Sequence, residues 1–280
     1  MKYLNIGCGN HYSNKMEWIN IDFISHGKNV IKHNLLRGVP FKDDTFDLVY
    51  HSHVLEHFSK EDGIHLIEEC YRVLKPGGIL RIAIPDLEQI ARIYLNCLEK
   101  SFQNPIDKIA AANYEWMLLE MFDQTVRNQS GGRMGFFLTQ ETIINEDFVF
   151  ERIGDEGRAF RNNTSLSPIK RFSISNIDNT VIKIKIYILK KVRRIKNMLL
   201  FIIGVDFKAY RIGRFRLGGE IHQWMYDRYS LMNLLTLSGF KNIQIKDAFT
   251  SDIDNWVDYC LDGKDSNVRK PDSLFIEAVK

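Results

Sequence analysis

Residues 51–57, with the sequence HSHVLEH, concentrate side chains that can exchange protons near neutral pH. His53 and His57 are spaced by one helical turn, and histidine is the side chain whose ordinary pKa lies nearest neutrality. One of them could therefore act as a general base toward an acceptor hydroxyl, a role worth ~10²-fold or more in rate. Alternatively, both histidines cap or pack the helix that follows. A metal site with His51 is a further alternative, but a strand–helix junction seldom gives ligands the necessary geometry, so no metal is predicted.

A second motif, LNIGCGN at residues 4–10, places two glycines directly after a short apolar stretch. Because glycine has no Cβ, a ligand can approach such a loop closely. A dinucleotide fingerprint would need a third glycine where this chain has Tyr12, and a phosphate-binding P-loop would need Gly-Lys-Ser/Thr. Both nucleotide motifs are therefore absent, and the stretch predicts either a cofactor loop of another kind or a tight turn.

The elements that must position these residues follow from the apolar pattern. Short apolar stretches predict strands, and residues 60–74 predict an amphipathic helix between the fourth and fifth of them. The last two strands are predicted to form an antiparallel pair. This alternation of strands and helices is typical of a parallel sheet covered on both faces. The predicted strands are residues 3–6, 18–23, 29–33, 46–51, 79–84, 242–248 and 273–279.

Polar side chains follow the ends of consecutive predicted strands, where ligands bind in open α/β sheets. Asp22 ends the second strand, and its carboxylate could accept both hydroxyls of a ribose or cap a turn. Asn34 and Leu35, after the third strand, offer an amide and an apolar contact for an adenine ring. Ser52 and His53 follow the fourth strand at the same rim. Together with the glycine loop after the first strand, these groups occupy four successive strand ends and predict a single ligand site.

About 130 residues between the fifth strand and the C-terminal strands exceed what a connection needs. We therefore expect a core formed by residues 1–86 and 220–280, with residues 87–219 inserted as a helical cap. Helices are predicted at residues 87–100 and 109–128. The chain has 280 residues, of which 45% are apolar, enough for one large core of this kind.

Side chains in the cap and at its return to the core are candidates for acceptor contact. One group recurs at helical spacing just before two glycines, although such a polar stripe is more often a solvated face. The other group combines aromatic rings with polar tips, which suit a sugar, although Trp224 would equally suit a core. The helical stripe consists of Glu120, Asp123, Gln124 and Arg127. The group at the return to the core consists of His222, Trp224 and Tyr226.

The segment at residues 181–203 is basic and carries an apolar helical stripe, within a chain of formal net charge +3. Such a helix could lie at an anionic membrane interface. The alternatives are a cap helix buried in the protein or in a homodimer. No aromatic–basic interleaving supports a nucleic-acid partner.

The spacing of the cysteines and the N-terminal sequence indicate the cellular compartment of the protein. The four cysteines include no CxxC pair, which suits reduced thiols. The N-terminal residues lack the pattern of a secretory signal. We expect a cytoplasmic protein, with peripheral contact at the inner face of the membrane as an alternative.

The order of the motifs LNIGCG, WINID, NLLRGVPFKDDTFDLVYHSHVLEHF and EECYRVLKPGGILRIAIPD resembles that of class I S-adenosylmethionine-dependent methyltransferases. The resemblance is close over residues 1–86 and looser over residues 220–280. It implies a Rossmann-like, doubly wound, mostly parallel seven-stranded sheet with an antiparallel last strand, and S-adenosyl-L-methionine as cofactor. In that family the glycine loop faces the methionine part, the acid after the second strand holds the ribose, and the pair after the third strand contacts adenine. The resemblance assigns these roles to Gly7, Cys8, Gly9, Asp22, Asn34 and Leu35. From their places at the strand ends, Asn5, Ser52 and His53 complete the predicted cofactor-binding set.

Three further segments, LLEMFDQTVRNQSGGRM, GGEIHQWMYDRYSLMNLLTLSGF and RKPDSLFIEAVK, resemble methyltransferases that accompany bacterial surface-polysaccharide genes. This resemblance implies O-methylation of a sugar or glycan-related acceptor, which could be lipid-linked. The alternatives are a methyltransferase for a non-sugar metabolite and a non-catalytic cofactor-binding or scaffold protein. The scaffold alternative stays open because Asn5 and Asn34 stand where many members of the family have acids.

Overall fold

The computed structural model describes residues 1–24, 27–165, 191–192, 204 and 206–280. Its centre is a seven-stranded sheet in the order β3-β2-β1-β4-β5-β9-β6, in which β9 runs antiparallel to both neighbours. The predicted doubly wound, mostly parallel sheet with an antiparallel last strand is confirmed. The strands are β1 (Tyr3–Ile6), β2 (Trp18–Asp22), β3 (Val30–Lys32), β4 (Phe46–Ser52), β5 (Leu74–Pro85), β6 (Lys241–Lys246), the small ribbon β7 (Gly263–Lys264) and β8 (Asn267–Val268), and β9 (Ser273–Val279).

Helices flank the sheet and fill the described part of the insertion. Helix α1 begins after Ser59, whose hydroxyl accepts a hydrogen bond from the Asp62 amide, and it ends just before the Lys-Pro-Gly-Gly stretch, as predicted. That stretch itself lies within β5, which begins five residues earlier than the sequence predicts. The helices are α1 (Lys60–Val73), α2 (Leu87–Gln103), α3 (Lys108–Val126), α4 (Gly132–Leu138), α5 (Glu146–Ser165), α6 (Phe207–Arg216) and α7 (Arg228–Leu237).

The register of the sheet aligns the carboxyl ends of its parallel strands. Ile6 at the end of β1 lies opposite Ile21 of β2 and His51 of β4, and His51 lies opposite Ile82 of β5. The loops that follow these strands therefore emerge side by side at one edge of the sheet. Because β9 runs in the reverse direction, its first residue, Ser273, lies opposite Pro85 at the same edge.

The main apolar core lies between the sheet and helices α1 and α7. A separate apolar cluster, centred on the fully buried Trp116 and Met117, joins helices α2 to α5. These helices occupy residues 87–165, where the sequence predicts the cap, and the division into core and cap stays a prediction. The basic segment at residues 181–203 lies outside the described residues except for residues 191–192. Among the described helices, none is both long and apolar enough to span a membrane.

Candidate functional site

The glycine loop after β1 is held against the end of β2. The amides of Gly7 and Cys8 donate to the carbonyl of Ile21, and the amide of Gly9 donates to Oδ2 of Asp22 at 2.8 Å. Gly7 and Gly9 have φ values of 63° and 54°, which favour glycine. A Cβ at Gly7 would meet the side chain of Val54 at 2.4 Å, whereas a Cβ at Gly9 would find no described atom within 4 Å. The loop is therefore packed beneath Gly7 and open at Gly9.

Two further polar groups border this loop. Asp22 accepts a second hydrogen bond from the amide of Ile24, so its carboxylate is fixed at the end of β2. Asn5 is 1% exposed, and its side-chain nitrogen has no hydrogen-bond partner within the described part of the chain. A buried donor of this kind needs a partner such as a ligand or an ordered water. An open glycine, a fixed carboxylate and an unpaired donor fit the polar groups of an adenosyl cofactor.

The pair predicted to contact adenine divides between two environments. The Oδ1 atom of Asn34 accepts a hydrogen bond from the amide of Leu36 and caps the short 3-10 helix Leu35–Arg37. Leu35 packs into the main core, whereas Leu36 is 59% exposed. At this rim the structure therefore offers the Asn34 amide and the side chain of Leu36, rather than that of Leu35, to a ring.

The remaining predicted cofactor residues lie beside the same loops. Cys8 is buried, and burial raises the pKa of its thiol to about 12, so the group is a neutral thiol. Ser52 is the last residue of β4 and is half-buried. His53 follows it with a φ of 53°, a left-handed conformation that is uncommon for residues other than glycine. This backbone is held by a hydrogen bond of 2.8 Å from the His53 amide to the Ala83 carbonyl.

Glu56 is the centre of the histidine cluster, which we define as His53, Glu56, His57 and His222. Its side chain is 1% exposed, and its Oε1 atom lies 3.3 Å from Nδ1 of His53 and 3.9 Å from Nε2 of both His57 and His222. Burial alone would raise the pKa of the carboxyl, yet the contact with His53 and the proximity of the His57 and His222 rings hold it well below its usual range. Glu56 is therefore a carboxylate.

The two predicted catalytic histidines have different surroundings. The Nε2 atom of His53 lies 2.8 Å from Oγ of Ser273, and its Nδ1 atom faces Glu56. Because the carboxylate can only accept, Nδ1 carries the hydrogen, and in the neutral ring Nε2 then has the lone pair. The Nδ1 atom of His57 instead donates to the carbonyl of Ile221 at 3.1 Å, so the lone pair of Nε2 of His57 points toward Glu56 and His222.

His222 reaches this cluster because the segment that leaves the insertion runs along the loop after β4. The carbonyl of Glu56 accepts hydrogen bonds from the amides of Gln223 and Trp224, and the side chain of Gln223 donates to the carbonyl of His57. His222 is 4% exposed, and burial lowers its pKa to about 3, so its ring is neutral. His51, the fourth histidine near Glu56, is fully buried, and burial lowers its pKa to about 4.

A cavity of about 460 Å³ opens beside the histidine cluster, between the sheet edge and helices α3, α4 and α5. All four members of the cluster line it. Charged and polar groups from the insertion and from the segment before β9 form the remaining polar wall. Lys270, in the segment before β9, forms an ion pair of 2.7 Å with Glu156 of α5, and Arg127 forms one of 3.2 Å with Glu220 at the exit of the insertion.

Of the four residues in the predicted polar stripe, Glu120, Asp123, Gln124 and Arg127, only two line this cavity. Gln124 and Arg127 line it. Glu120 is buried, accepts hydrogen bonds from Trp116 and Arg152, and has a pKa that burial raises. Asp123 is also buried, and its carboxylate accepts hydrogen bonds from the amides of the first turn of α4. The solvated-face interpretation is therefore wrong for Glu120 and Asp123, which hold the insertion together.

The aromatic candidates lie apart from the cavity wall. Trp224 is 40% exposed, and Nζ of Lys60 lies 5.1 Å from the centre of its ring. Tyr226 belongs to the main core, and burial raises the pKa of its hydroxyl to about 12. The hydroxyl of Tyr226 has no hydrogen-bond partner among the described residues. Of the three residues predicted where the cap returns to the core, His222 is the one that lines the cavity.

The sequence assigns no role to several residues that shape this site. Glu56 lies within the HSHVLEH motif, and its spacing from His53 and His57 is a signal that could have identified it. Ser273, Lys270 and Glu156 carry no local signal, because they approach the cluster only through the pairing of β9 and the packing of α5. Such groups are visible only in three dimensions.

Comparison with known proteins agrees with this geometry. Residues 12–82 match the family model described as a methyltransferase domain. A probable S-adenosylmethionine-dependent methyltransferase of Mycolicibacterium smegmatis is 36% identical over 56 residues, which are 20% of this chain and 21% of that protein. A probable methyltransferase of Aspergillus luteorubrus is 44% identical over 48 residues, or 17% of each chain. The chain thus spans about a fifth of the length of these curated relatives.

Two solved structures align with the whole chain at low similarity. A Thermotoga maritima protein, described as an S-adenosylmethionine-dependent methyltransferase and possible histamine N-methyltransferase, shares 12% identity at a TM-score of 0.40 and is covered to 82%. A methyltransferase of Archaeoglobus fulgidus shares 14% identity at a TM-score of 0.37 and is covered to 86%.

The predicted resemblance is confirmed at the level of the domain: residues 12–82 match a methyltransferase domain, which supports the class I S-adenosylmethionine-dependent resemblance. S-adenosyl-L-methionine is the cofactor of that class. The activity of the whole protein, its acceptor and its partners are proposals.

Proposed function

We propose that the protein is an S-adenosylmethionine-dependent methyltransferase that O-methylates a sugar or glycan-related acceptor. Asn5, the loop from Gly7 to Gly9, and Asp22 would hold the cofactor at the strand ends. When bound, S-adenosyl-L-methionine would supply a methyl group on a positively charged sulfur; an acceptor oxygen would bond to the methyl carbon as the carbon–sulfur bond breaks and S-adenosylhomocysteine leaves. Asn34 and Ser52 would complete the cofactor contacts at the neighbouring strand ends.

The single observation that carries this proposal is the cavity beside the histidine cluster. It lies at the same sheet edge as the glycine loop, and His53 links the two because it follows β4, the neighbour of β1. One part of its wall carries carboxylates, cations and the Gln124 amide, beside apolar side chains such as Met134 and Phe160. Such a wall favours an acceptor with several hydroxyl groups over an apolar metabolite, because each buried polar group needs a partner.

In this proposal His53 accepts the proton of the acceptor hydroxyl. Its Nε2 lone pair, which faces Ser273, would turn to the hydroxyl, while Glu56 keeps the proton on Nδ1 and stabilises the imidazolium that forms. Positioning of the oxygen by the cavity wall supplies the larger share of the rate, because a displacement at a sulfonium methyl needs little covalent assistance. Gln124 and Arg127 would contact the acceptor from α3.

Calorimetry with S-adenosyl-L-methionine and S-adenosylhomocysteine tests the cofactor part of the proposal. Methyl transfer from labelled cofactor to a panel of nucleotide sugars, glycans and non-sugar metabolites then tests the acceptor. Binding followed by transfer to a sugar hydroxyl supports the proposal. Transfer to a non-sugar metabolite would replace the acceptor class, and binding without transfer to any compound would favour the scaffold alternative.

The substitution His53→Asn tests the base. Asparagine tolerates the left-handed backbone of residue 53, so the loop should keep its conformation. We expect turnover at saturating cofactor to fall by ~10²-fold or more. His65→Ala, at an exposed position of α1, is the control. Turnover of the His53 variant within a factor of two of the parent would remove His53 from the chemistry.

We further propose that the acceptor is lipid-linked and that the protein contacts the membrane peripherally. The basic amphipathic sequence at residues 181–203 supports this contact. Sedimentation with anionic vesicles, before and after deletion of these residues, tests the contact, and equal sedimentation would contradict it. Sedimentation velocity of the free protein tests the homodimer that the same segment could form.

A further inference from the structure

The ligand atoms of Glu56, His57 and His222 converge at one point of the cavity wall. One carboxylate oxygen and one nitrogen from each imidazole all lie within 4.8 Å of one another. Glu56 and His57 come from the loop after β4, whereas His222 comes from the segment that leaves the insertion. Two imidazoles and one carboxylate are the protein ligands of many catalytic sites for divalent transition metals.

The carboxylate at this point lacks the hydrogen bonds that a buried charge requires. Glu56 is 1% exposed, and neither of its carboxylate oxygens has a hydrogen-bond partner within the described part of the chain. The approach of His53 at 3.3 Å is an ion-pair contact rather than a well-formed hydrogen bond. An uncompensated buried carboxylate costs several kcal/mol, so this group needs a further positive partner.

The two imidazoles are oriented as ligands. The donation from Nδ1 of His57 to the Ile221 carbonyl fixes the tautomer whose Nε2 lone pair points into the cluster. A carbonyl that holds the opposite nitrogen is the usual outer contact of a metal-bound histidine. The rings of His57 and His222 are 4.9 Å apart at an interplanar angle of 80°, and one nitrogen of each lies within 4.8 Å of the other and of a Glu56 oxygen.

We propose that Glu56, His57 and His222 bind a divalent transition-metal ion, with Zn²⁺ as the best match, and leave a coordination position open to the cavity. Ligand bonds of about 2.1 Å in a tetrahedral site place the ligand atoms about 3.4 Å apart. The separations of 3.9 Å from Glu56 to His57 and to His222 therefore need to contract by only about half an ångström.

The ion gives the cluster a role that deepens the proposed function and rests on it. The open position would bind the oxygen of the acceptor hydroxyl and lower its pKa. His53, which contacts the same carboxylate but is not among the three ligands, then takes the proton at Nε2. Metal binding itself depends only on the three ligands, so it can be measured without cofactor or acceptor.

Equilibrium dialysis of the chelator-treated, full-length protein against micromolar Zn²⁺ tests the site. We expect one zinc per chain in the parent protein and in His65→Ala, which removes an exposed histidine of α1. We expect at least tenfold weaker binding in His57→Ala, His222→Ala and the isosteric Glu56→Gln. Equal zinc binding by the parent and all three ligand variants, or no zinc on the parent, would overturn the proposal.

Two controls keep the outcome interpretable. Circular dichroism shows whether a variant has unfolded, and Co²⁺ added to the unaltered protein reports the site without any substitution through its visible absorption. A tetrahedral spectrum that Zn²⁺ displaces supports the site, and the spectrum of fully hydrated Co²⁺ contradicts it. If Zn²⁺ binds through these residues but S-adenosyl-L-methionine does not bind, the proposed function fails while the metal site stands. If S-adenosyl-L-methionine binds but Zn²⁺ does not, the metal site fails while the proposed function stands.

Discussion

The imidazole rings of His57 and His222 pack edge to face, with centroids 4.9 Å apart, although the whole insertion separates them in sequence. The contact forms because the amides of Gln223 and Trp224 donate to the Glu56 carbonyl, while the side chains of His57 and Gln223 donate to the carbonyls of Ile221 and His57. His222 also donates its amide to the carbonyl of Gln124 in α3. The sheet edge and the insertion are therefore joined at the histidine cluster itself, so a change in either one reaches the site.

Substitution of Asp22 tests the cofactor rim. Asp22→Asn removes the charge that holds the Gly9 amide and that would accept the ribose hydroxyls. A hydrogen bond to a charged group is worth about 1.5–3 kcal/mol, so we expect the Kd for S-adenosyl-L-methionine to rise by about 10- to 100-fold. Calorimetry measures this change. The control is Asp265→Asn, at an exposed position whose φ of 49° asparagine accepts, and a Kd for Asp22→Asn within twofold of the parent would exclude the ribose role.

Substitution of Gly135 in α4, which lines the cavity, by leucine tests whether the acceptor binds there. A Cβ there would lie 3.5 Å from the ring of Phe160, and both residues line the cavity. A leucine should therefore fill part of the cavity, and we expect the KM for the acceptor to rise at least tenfold with the cofactor Kd unchanged. Gly213→Leu in α6, where a Cβ meets no described atom within 4 Å, is the matched control. Equal KM values for both variants would move the acceptor elsewhere.

Cysteine reactivity follows from burial. Burial raises the pKa of Cys8 to about 12 and that of Cys70 further still, so neither forms appreciable thiolate at pH 8. Cys260 is half-buried at the end of a short 3-10 helix. We expect iodoacetamide to label Cys260 first, and labelling of Cys8 to increase only as the pH rises toward its pKa. Mass spectrometry of the native protein measures both, and early labelling of Cys8 would contradict the packed loop.

Substitution of Arg81 tests how much a buried ion-pair network contributes to stability on the face of the sheet away from the main apolar core. Its fully buried guanidinium pairs with Asp262 at 2.7 Å and Glu277 at 2.6 Å. Arg81→Met leaves two buried carboxylates without a cation, and we expect the free energy of unfolding to fall by about 3–5 kcal/mol. Lys75→Met, which breaks a half-exposed pair with Asp47, should cost less than about 1 kcal/mol. Urea denaturation compares the two variants, and equal losses would show that burial does not decide the cost.

The strands and the glycine loop were predictable because their signals are local. Alternating apolar stretches and turn residues fix β1 to β4 within one or two residues. The rule that ligands bind at the carboxyl ends of parallel strands then brings Gly9 and Asp22 together, and the structure joins them by a hydrogen bond. Local pattern and a single topological rule were sufficient for this part of the site.

The rest depended on long-range pairing. Glu120 has the sequence signal of a solvated residue, yet Arg152 from α5 covers it and makes it a structural contact of the insertion. Leu35 and Leu36 are equally apolar in sequence, and only the packing of the core decides which one is exposed. His222 is one histidine in an irregular segment, and its meeting with Glu56 depends on backbone hydrogen bonds between distant residues.

The position of β9 in the sheet has a consequence for how the protein folds during its synthesis. This strand lies between β5 and β6 in the sheet, although both are synthesised before it. It also carries Ser273, the hydroxyl partner of His53. In a nascent chain on the ribosome, β5 therefore has an unpaired edge and β6 has no neighbouring strand until residues 273–279 emerge, and the proton-accepting His53 gains its Ser273 partner only then.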